Sequence, residues 1–172
     1  MAPTIWLTGL PASGKTTLAT ALVKSFRESG RHAVLLDGDD LRRGVCSDLG
    51  FSEADRDENV RRVVAIARLL ARQGAIPVCA LVSPMSGHRR HAREQLAPYF
   101  EVFVDCPANV CARRDPKGLW RAALDGEIPD FTGLGQRFEL PESADYRYKS
   151  DQETVAEALQ AVLQAMTKRG ML

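Results

Sequence analysis

The octapeptide Gly-Leu-Pro-Ala-Ser-Gly-Lys-Thr at residues 9–16 follows the pattern G-x-x-x-x-G-K-[ST]. A loop of this kind turns its backbone N–H groups toward the phosphates of a nucleotide. Its lysine reaches the β- and γ-phosphates, and its last hydroxyl ligates Mg²⁺. The pattern also arises by chance in glycine-rich turns, so the segments before and after it decide whether it is a phosphate-binding loop. The predicted contacts to ATP and Mg²⁺ are Gly9, Leu10, Pro11, Ala12, Ser13, Gly14, Lys15, Thr16 and Thr17.

A phosphate-binding loop of this kind follows a strand and precedes a helix, and the sequence on both sides of residues 9–16 predicts these elements. Residues 4–8 form a short apolar run rich in β-forming side chains, which predicts a buried strand. From residue 16 to residue 29 apolar side chains recur at helical spacing, and Gly30 is a suitable stop. The strand–loop–helix context supports phosphate binding, and the positive end of the helix adds to it.

Short apolar runs and amphipathic segments alternate through the rest of the chain. Further strands are predicted at residues 33–36, 76–82 and 100–105, and further helices at residues 58–73, 88–96, 109–114 and 154–166. This alternation predicts an α/β fold of the P-loop NTPase type, one domain with a parallel sheet and helices on both faces. Residues 115–144 are rich in glycine, proline and charge and are long for a connection, so we predict a lid there.

The bulk composition narrows the class of partner. The 172 residues carry a net charge of +1 and are 45% hydrophobic, so nothing draws the chain as a whole to nucleic acid or to a membrane. No apolar run is long enough to span a bilayer. The cysteines lack metal-ligand spacing, which predicts a reduced, cytoplasmic protein; they are Cys46, Cys79, Cys106 and Cys111. The histidines also lack such spacing and are predicted to be surface residues; they are His32, His88 and His91.

An acidic cluster ends the second predicted strand and should face the phosphate loop. Asp37, Asp39 and Asp40 follow one another with only Gly38 between them. A carboxylate there can orient or deprotonate an attacking hydroxyl, or hold Mg²⁺. The same residues are also suited to cap a helix. Because several carboxylates beside a phosphate site repel ATP unless they bind Mg²⁺ or an acceptor, we favour a functional role for at least one of them.

Basic and aromatic residues follow the acidic cluster. Arg42 and Arg56 have the forked donors that a phosphate or sulfate on an acceptor requires, although single arginines are usually solvated. Phe51 lies between them and is suited either to stack on a base or to anchor the segment in the core. Arg114 and Lys117, at the start of the lid, are placed to reach the transferring phosphate.

Together these segments resemble the adenylylsulfate kinase (APS kinase) family along nearly the whole chain. The resemblance is carried by residues 9–17, 36–44, 48–62, 82–84, 101–105, 114–119 and 131–133. It implies a P-loop kinase that uses ATP and Mg²⁺ to phosphorylate the 3′-hydroxyl of adenosine 5′-phosphosulfate (APS), giving ADP and 3′-phosphoadenylyl sulfate. It also implies a small nucleotide as partner and, for many members, a homodimer.

The resemblance further implies roles for individual residues. Asp37 is the base or orienting carboxylate and, with Thr16, the metal site. Lys15 and Lys117 complete the catalytic set, and Arg114 contacts the nucleotide. The implied acceptor contacts are Asp39, Arg42, Phe51, Arg56, Asn59, Ser83, Lys117 and Phe131, with the two phenylalanines as an aromatic clamp on the base.

Several positions depart from the family pattern, and they cluster in the part of the chain assigned to the acceptor. They include Asp40 for asparagine, Met85 and Ser86 where an aromatic residue and arginine are usual, and Ala122 for a basic residue. Arg89 or Arg90 is a possible substitute for the missing arginine. Because altered contacts change specificity on a shared backbone, a kinase for another nucleotide, such as cytidine diphosphoramidate, remains an alternative.

A third hypothesis is a P-loop protein that binds nucleotide without catalysis, or a GTPase-like switch. A GTPase needs an Asn-Lys-x-Asp segment to read guanine, and the chain has none. A non-catalytic binder is expected to have lost Lys15, Thr16 or Asp37, and all three are present. A kinase is therefore the favoured hypothesis.

Overall fold

Five strands and seven helices follow one another along the chain in the computed structural model, which describes all 172 residues. The strands are β1 (Thr4–Thr8), β2 (Ala33–Asp37), β3 (Ile76–Ala80), β4 (Tyr99–Asp105) and β5 (Tyr146–Lys149). The helices are α1 (Lys15–Glu28), α2 (Gly38–Arg43), α3 (Glu53–Arg72), α4 (Ser86–Gln95), α5 (Ala108–Arg114), α6 (Leu119–Leu124) and α7 (Val155–Lys168).

The strands form one parallel sheet in the order β2-β3-β1-β4-β5. The first strand lies in the middle, where Ile5 is paired with Val78 on one side and with Phe100 on the other. All carboxyl ends therefore reach the same edge of the sheet. The loop after β1 opens at that edge between β3 and β4, the place where open parallel sheets bind ligands.

Alternation of side chains along the strands divides the core into two layers. Ile5 and Leu7 are fully buried in a cluster with α1 and α7, whereas Trp6 between them is buried in a second cluster with α3 and α4. The two layers follow from the two-residue period of a strand. Helices therefore cover both faces, as the alternation in the sequence predicts.

A third apolar cluster joins the lid to the phosphate loop. Trp120 and Phe131 of the lid pack edge to face, with ring centroids 5.1 Å apart, and Leu10 of the loop packs against the same cluster. The indole Nε1 of Trp120 donates to the carbonyl oxygen of Pro11 at 3.0 Å. Gly133 is required in this contact, because a Cβ there would lie 2.8 Å from the Trp120 ring. The lid therefore lies directly on the loop.

Most predicted elements are confirmed, with shifts at their ends. The first strand has its predicted bounds, but β3 ends at Ala80 rather than residue 82, and α3 begins five residues before residue 58. The earlier start of α3 follows from Ser52, whose Oγ accepts the N–H of Asp55 as an N-cap. Three short elements were not predicted: α2, α6 and β5.

All four cysteines are buried and unpaired by disulfides. None of the helices combines the length and the apolar character that a membrane span needs.

Candidate active site

A cavity of about 1180 Å³ opens at the carboxyl edge of the sheet, between the phosphate loop and the lid. It extends from the start of α1 to α2, α3 and the loop before α4, so nucleotide and acceptor candidates share one space. The predicted site residues that line it are Pro11, Ala12, Gly14, Lys15, Thr16, Thr17, Asp37, Asp39, Arg42, Phe51, Arg56, Asn59, Ser83, Arg114, Lys117 and Phe131.

Three predicted contacts to the nucleotide do not line the cavity but shape the loop from behind. A Cβ at Gly9 would lie 2.4 Å from the carbonyl oxygen of Val104, so only glycine lets the loop pack this closely on β4. Leu10 packs into the lid cluster. Ser13 is fully buried, and its carbonyl oxygen accepts the hydroxyl of Ser150. Their role is to support the loop.

The loop presents a free helix start to the cavity. Helix α1 begins at Lys15, and its N-cap Gly14 has φ +102° and no side-chain cap. The first N–H groups of a helix have no partner within it, so they are available to an anion. A phosphate group therefore fits where the sequence pattern placed it.

Lys15 is buried against its own loop. Its ammonium group donates to the carbonyl oxygens of Gly9 at 3.0 Å and Leu10 at 2.7 Å. Burial lowers the pKa of Lys15 to about 8, although Asp37 and Asp39 nearby act in the opposite direction. The lysine therefore stays largely charged at neutral pH but loses its proton at a lower pH than an exposed lysine does.

Asp37 caps α2 and also contacts the phosphate loop. One carboxylate oxygen, Oδ1, accepts the N–H of Asp39 at 2.9 Å and caps α2. The other, Oδ2, accepts the hydroxyl of Thr16 at 2.7 Å. A hydroxyl and a carboxylate oxygen side by side next to a phosphate cradle suit Mg²⁺, which takes few protein ligands and fills its shell with phosphate and water oxygens. The pair therefore fits the expected metal.

Phe51 stands at the mouth of the cavity and is not a core anchor. Its side chain is 53% exposed, and the guanidinium carbons of Arg42 and Arg56 lie 4.3 and 5.6 Å from its ring centroid. Arg42 also donates to the carbonyl oxygen of Gly50 at 2.8 Å, and Arg56 to that of Phe51 at 2.9 Å. The aromatic face and two cations form a flat, positively charged wall suited to an anionic nucleotide.

Asn59 and Ser83 line the same half of the cavity but differ in availability. Asn59 is buried, and its Oδ1 has no hydrogen-bond partner. The hydroxyl of Ser83 accepts the indole N–H of Trp6 at 3.1 Å. Because an unpaired buried oxygen is costly, Asn59 is a ready acceptor for a ligand donor, whereas the Ser83 hydroxyl is already engaged.

The lid residues also differ in availability. Lys117 forms an ion pair with Asp39, and both side chains are about half exposed. Arg114 instead donates to the carbonyl oxygen of Ser150 at 2.6 Å and to its hydroxyl at 3.1 Å. Phe131 is only 7% exposed because it packs on Trp120, so it contributes little ring surface opposite Phe51 in this arrangement.

The prediction that His88 is a surface residue is wrong. His88 is 4% exposed, lines the cavity, and its Nε2 lies 2.8 Å from Oδ1 of Asp57. The N–H of Met85 points at its Nδ1, at 3.4 Å. Burial lowers the pKa of His88, against the opposing effect of Asp57. His88, Ala92 and Leu96 are four residues apart along the chain and all are buried. This helical spacing with two apolar residues was the sequence signal that could have predicted a buried His88.

Other cavity residues were missed because β5 was not predicted. The segment that follows this strand contributes Ser150, Glu153, Thr154 and Val155 to the lining. A four-residue edge strand with the sequence Tyr-Arg-Tyr-Lys gives a weak apolar signal. The sequence therefore located only part of the nucleotide side.

Four departures from the family pattern, at Asp40, Met85, Ser86 and Ala122, lie outside the cavity wall. Asp40 forms an ion pair with Arg43, and the N–H of Ser86 donates to Oε2 of Glu139 at 2.7 Å. Neither Met85 nor Ala122 lines the cavity. The expectation that these positions alter acceptor contacts is therefore not supported by their placement.

Arg89 and Arg90 do not replace the missing arginine. Arg89 is buried and donates to the carbonyl oxygens of Ser83 at 2.8 Å and Glu139 at 2.7 Å. Arg90 faces a separate cavity on the other side of this segment. Neither side chain reaches the principal cavity.

The parallel sheet, the phosphate loop, the carboxylate beside it and the docked lid define a P-loop kinase. The family model for adenylylsulphate kinase matches residues 1–149, and the chain belongs to this family. It is 46% identical to the adenylyl-sulfate kinase of Paraburkholderia xenovorans, over 96% of this chain and 93% of the relative. It is 42% identical to that of Marinobacter nauticus, over 98% and 85%.

Solved structures similar to this chain include a member of the same family. The Mycobacterium tuberculosis APS kinase CysC, in complex with AMPPNP and APS, superposes with a TM-score of 0.93 at 41% identity, over 96% of this chain and 98% of that one. The chain is also 46% identical to the bifunctional enzyme NodQ of Rhizobium sp. strain N33, but it spans only 26% of that protein's length. More distant kinases, including a shikimate kinase at 18% identity, share the fold.

Proposed function

We propose that this protein transfers the γ-phosphate of ATP to the 3′-hydroxyl of APS, giving ADP and 3′-phosphoadenylyl sulfate. The observation that carries the proposal is the single cavity in which the phosphate loop and Asp37 face Phe51, Arg42 and Arg56. A loop for one nucleotide and a cationic aromatic wall for another are what a nucleotide 3′-kinase requires.

Different residues have different roles in the proposed reaction. The free N–H groups of α1 and the ammonium of Lys15 hold the phosphates of ATP, and Asp37 orients the acceptor hydroxyl. The 3′-oxygen forms a bond to the γ-phosphorus while the bond to the β–γ bridging oxygen breaks, ADP leaves with that electron pair, and Asp37 takes the hydroxyl proton. Mg²⁺ at Thr16 and Asp37 supplies positive charge to the phosphate oxygens when bound.

The lid contributes charge and exclusion of water. Lys117 is paired with Asp39 at the cavity and is free to exchange that carboxylate for a phosphate group when ATP binds. Trp120 and Phe131 cover the phosphate loop with apolar surface. Removing water strengthens the electrostatic stabilisation of the transferring group.

APS is favoured over another nucleotide because the departures at Asp40, Met85, Ser86 and Ala122 lie outside the cavity wall. The wall itself keeps the acceptor residues that the family pattern implies. The relatives from Marinobacter nauticus and Paraburkholderia xenovorans, which match over most of both chains, are named adenylyl-sulfate kinases. Cytidine diphosphoramidate is therefore the competing substrate in the experiment and not an equal candidate.

The test is coupled ADP release with ATP and Mg²⁺ and either APS or cytidine diphosphoramidate as acceptor. We expect turnover with APS, none with the cytidine compound, and loss of turnover in Lys15→Ala while circular dichroism stays that of the wild type. Turnover with the cytidine compound alone would move the protein to a different acceptor. Normal turnover in Lys15→Ala would remove the phosphate loop from the mechanism.

The proposal also covers the cellular compartment and the oligomeric state of the protein. Four buried cysteines without disulfides and ATP as phosphate donor fit a reducing, cytoplasmic compartment. By resemblance to the family we propose a homodimer, although a relative from Thiobacillus denitrificans is described as hexameric. Light scattering coupled to gel filtration distinguishes a dimer from a monomer and from a hexamer.

A further inference from the structure

The carbonyl oxygen of Ser13, in the phosphate loop, is held by groups from outside the loop. The hydroxyl of Ser150 donates to it at 2.6 Å, and Nη1 of Arg114 lies within 3.4 Å of it. Ser13 is fully buried and Ser150 is 9% exposed, so water does not compete freely for this contact. The hydrogen bond joins residues 137 positions apart in the sequence.

The orientation of one peptide group follows from this contact. In a trans peptide the carbonyl oxygen of one residue and the N–H of the next point in opposite directions. Because Ser150 and Arg114 hold the Ser13 oxygen, the N–H of Gly14 is directed away from these two residues. Gly14 is the N-cap of α1 and lines the cavity, and its N–H has no hydrogen-bond partner within the protein, so it is free to bind a phosphate oxygen.

Ser150 is itself fixed in place. It follows β5 directly, and its N–H donates to the carbonyl oxygen of Asp105 at the end of β4, at 3.0 Å. Arg114 holds both its hydroxyl, at 3.1 Å, and its carbonyl oxygen, at 2.6 Å. The hydroxyl is therefore a rigid donor, anchored to the edge of the sheet and to α5.

The Ser13–Gly14 peptide needs such an anchor. Gly14 has φ +102°, a backbone conformation in which glycine is uniquely free to turn, and the N-cap has no side-chain partner of its own. Without an external donor, the peptide is free to rotate and to turn its N–H away from the cradle. A preset donor binds phosphate without the cost of reorganisation.

From these contacts we infer that Ser150, supported by Arg114, is a positioning residue that presets the Gly14 N–H for the phosphates of the bound nucleotide. The inference rests on the proposed function for its substrate, ATP. It assigns to Arg114 the support of the loop through Ser150, in addition to its place in the cavity wall.

The experiment compares Ser150→Ala with Ser29→Ala as a matched control. Ser29 also donates its hydroxyl to a backbone carbonyl oxygen, that of Phe26 at 2.8 Å, but it lies at the opposite end of α1, about 20 Å away. Both variants lose one hydroxyl-to-carbonyl hydrogen bond, although that of Ser29 lies at the surface and should contribute less to thermal stability. Only Ser150→Ala should weaken ADP binding by calorimetry and raise the KM for ATP, each by about three- to tenfold.

The remaining readouts separate positioning from a structural effect. We expect the KM for APS to stay unchanged in Ser150→Ala, and Ser150→Thr, which keeps the hydroxyl, to recover ADP affinity. Unchanged ADP affinity in Ser150→Ala, or an equal loss in Ser29→Ala, would overturn the inference. ADP binding does not depend on the acceptor, so the two proposals can fail separately. If the wild-type protein does not use APS but Ser150→Ala still weakens ADP binding, the proposed substrate is contradicted and the positioning role is supported.

Discussion

The two halves of the cavity differ in what holds their polar groups before any ligand binds. In the nucleotide half, residues 9–17, carbonyl oxygens are held by Lys15, Trp120 and Ser150 from buried or half-buried positions. In the acceptor half, residues 39–59 with Lys117, Asn59 is buried, but the side chains of Asp39, Phe51 and Lys117 are exposed. Phe51 is 53% exposed, and the Lys117–Asp39 pair has about half of its surface in water.

This difference indicates that the two ligands meet different kinds of site. The nucleotide half is preorganised, because its backbone is fixed by directed hydrogen bonds that a ligand does not have to make. The acceptor half is assembled by its ligand, since exposed ion pairs contribute only about 0–1 kcal/mol and exchange readily. Substitutions should therefore affect the two substrates separately, except at Asp37, where the halves meet.

The largest effect is expected for Asp37→Asn. Asparagine keeps an oxygen for the N–H of Asp39 and a polar group beside Thr16, so the fold should be retained. Loss of the base should lower kcat by about 10²–10⁴-fold, with ADP binding in the absence of Mg²⁺ unchanged. Single-turnover measurement of phosphoryl transfer checks this, with Asp40→Asn as control. A kcat equal to that of the wild type would remove Asp37 from the chemical step.

Phe51→Ala should act on the acceptor alone. Stacking of a base on an aromatic side chain contributes about 1–3 kcal/mol, so the KM for APS should rise by about 5–150-fold. The KM for ATP should not change, because the Phe51 ring contacts Arg42 and Arg56 and is not part of the preorganised loop. Leu140→Ala, at another exposed apolar side chain, is the control. An equal rise in both KM values would mean that the two halves are not independent.

The affinity for ADP should depend on pH through Lys15, which belongs to the preorganised nucleotide half. Burial gives free Lys15 a pKa of about 8, and bound phosphate raises it. Binding therefore takes up a proton above pH 8, and affinity for ADP should fall by up to about tenfold per pH unit there while staying flat just below it. Calorimetry in buffers of different ionisation enthalpy measures the proton uptake. Lys15→Arg, which keeps its charge, should show none, and uptake in that variant would assign the proton to another group.

The nucleotide half was also the half that the sequence described better. The loop pattern is contiguous, so its residues are close in sequence as well as in space, and its flanking strand was predicted with correct bounds. Ser150 and Trp120 support the same loop from more than one hundred residues away, and no local pattern reports such a contact. The lid cluster likewise depends on tertiary packing that single-sequence periodicity does not contain.

In the acceptor half the sequence gave the right residue types but misjudged their surroundings. Phe51 was compatible with a core role and is exposed, whereas His88 was assigned to the surface and is buried. In both cases the side chain chemistry suits either environment, so only packing decides between them. Proximity in sequence was also misleading, because the departures at Asp40 and Ser86 adjoin cavity residues without lining the cavity.

The smallest effects are therefore expected where the family residues are restored. Asp40 forms only an exposed ion pair with Arg43, worth about 0–1 kcal/mol, so Asp40→Asn should leave both KM values within about twofold. Ser86→Arg should behave in the same way, since Ser86 lines the separate cavity beside Glu139 and its main contact to Glu139 is through the backbone N–H. Steady-state kinetics with APS and ATP measure both. If Ser86→Arg instead lowers the KM for APS tenfold or more, the acceptor reaches beyond the cavity wall, the missing arginine is a lost contact, and a different natural acceptor becomes the better hypothesis.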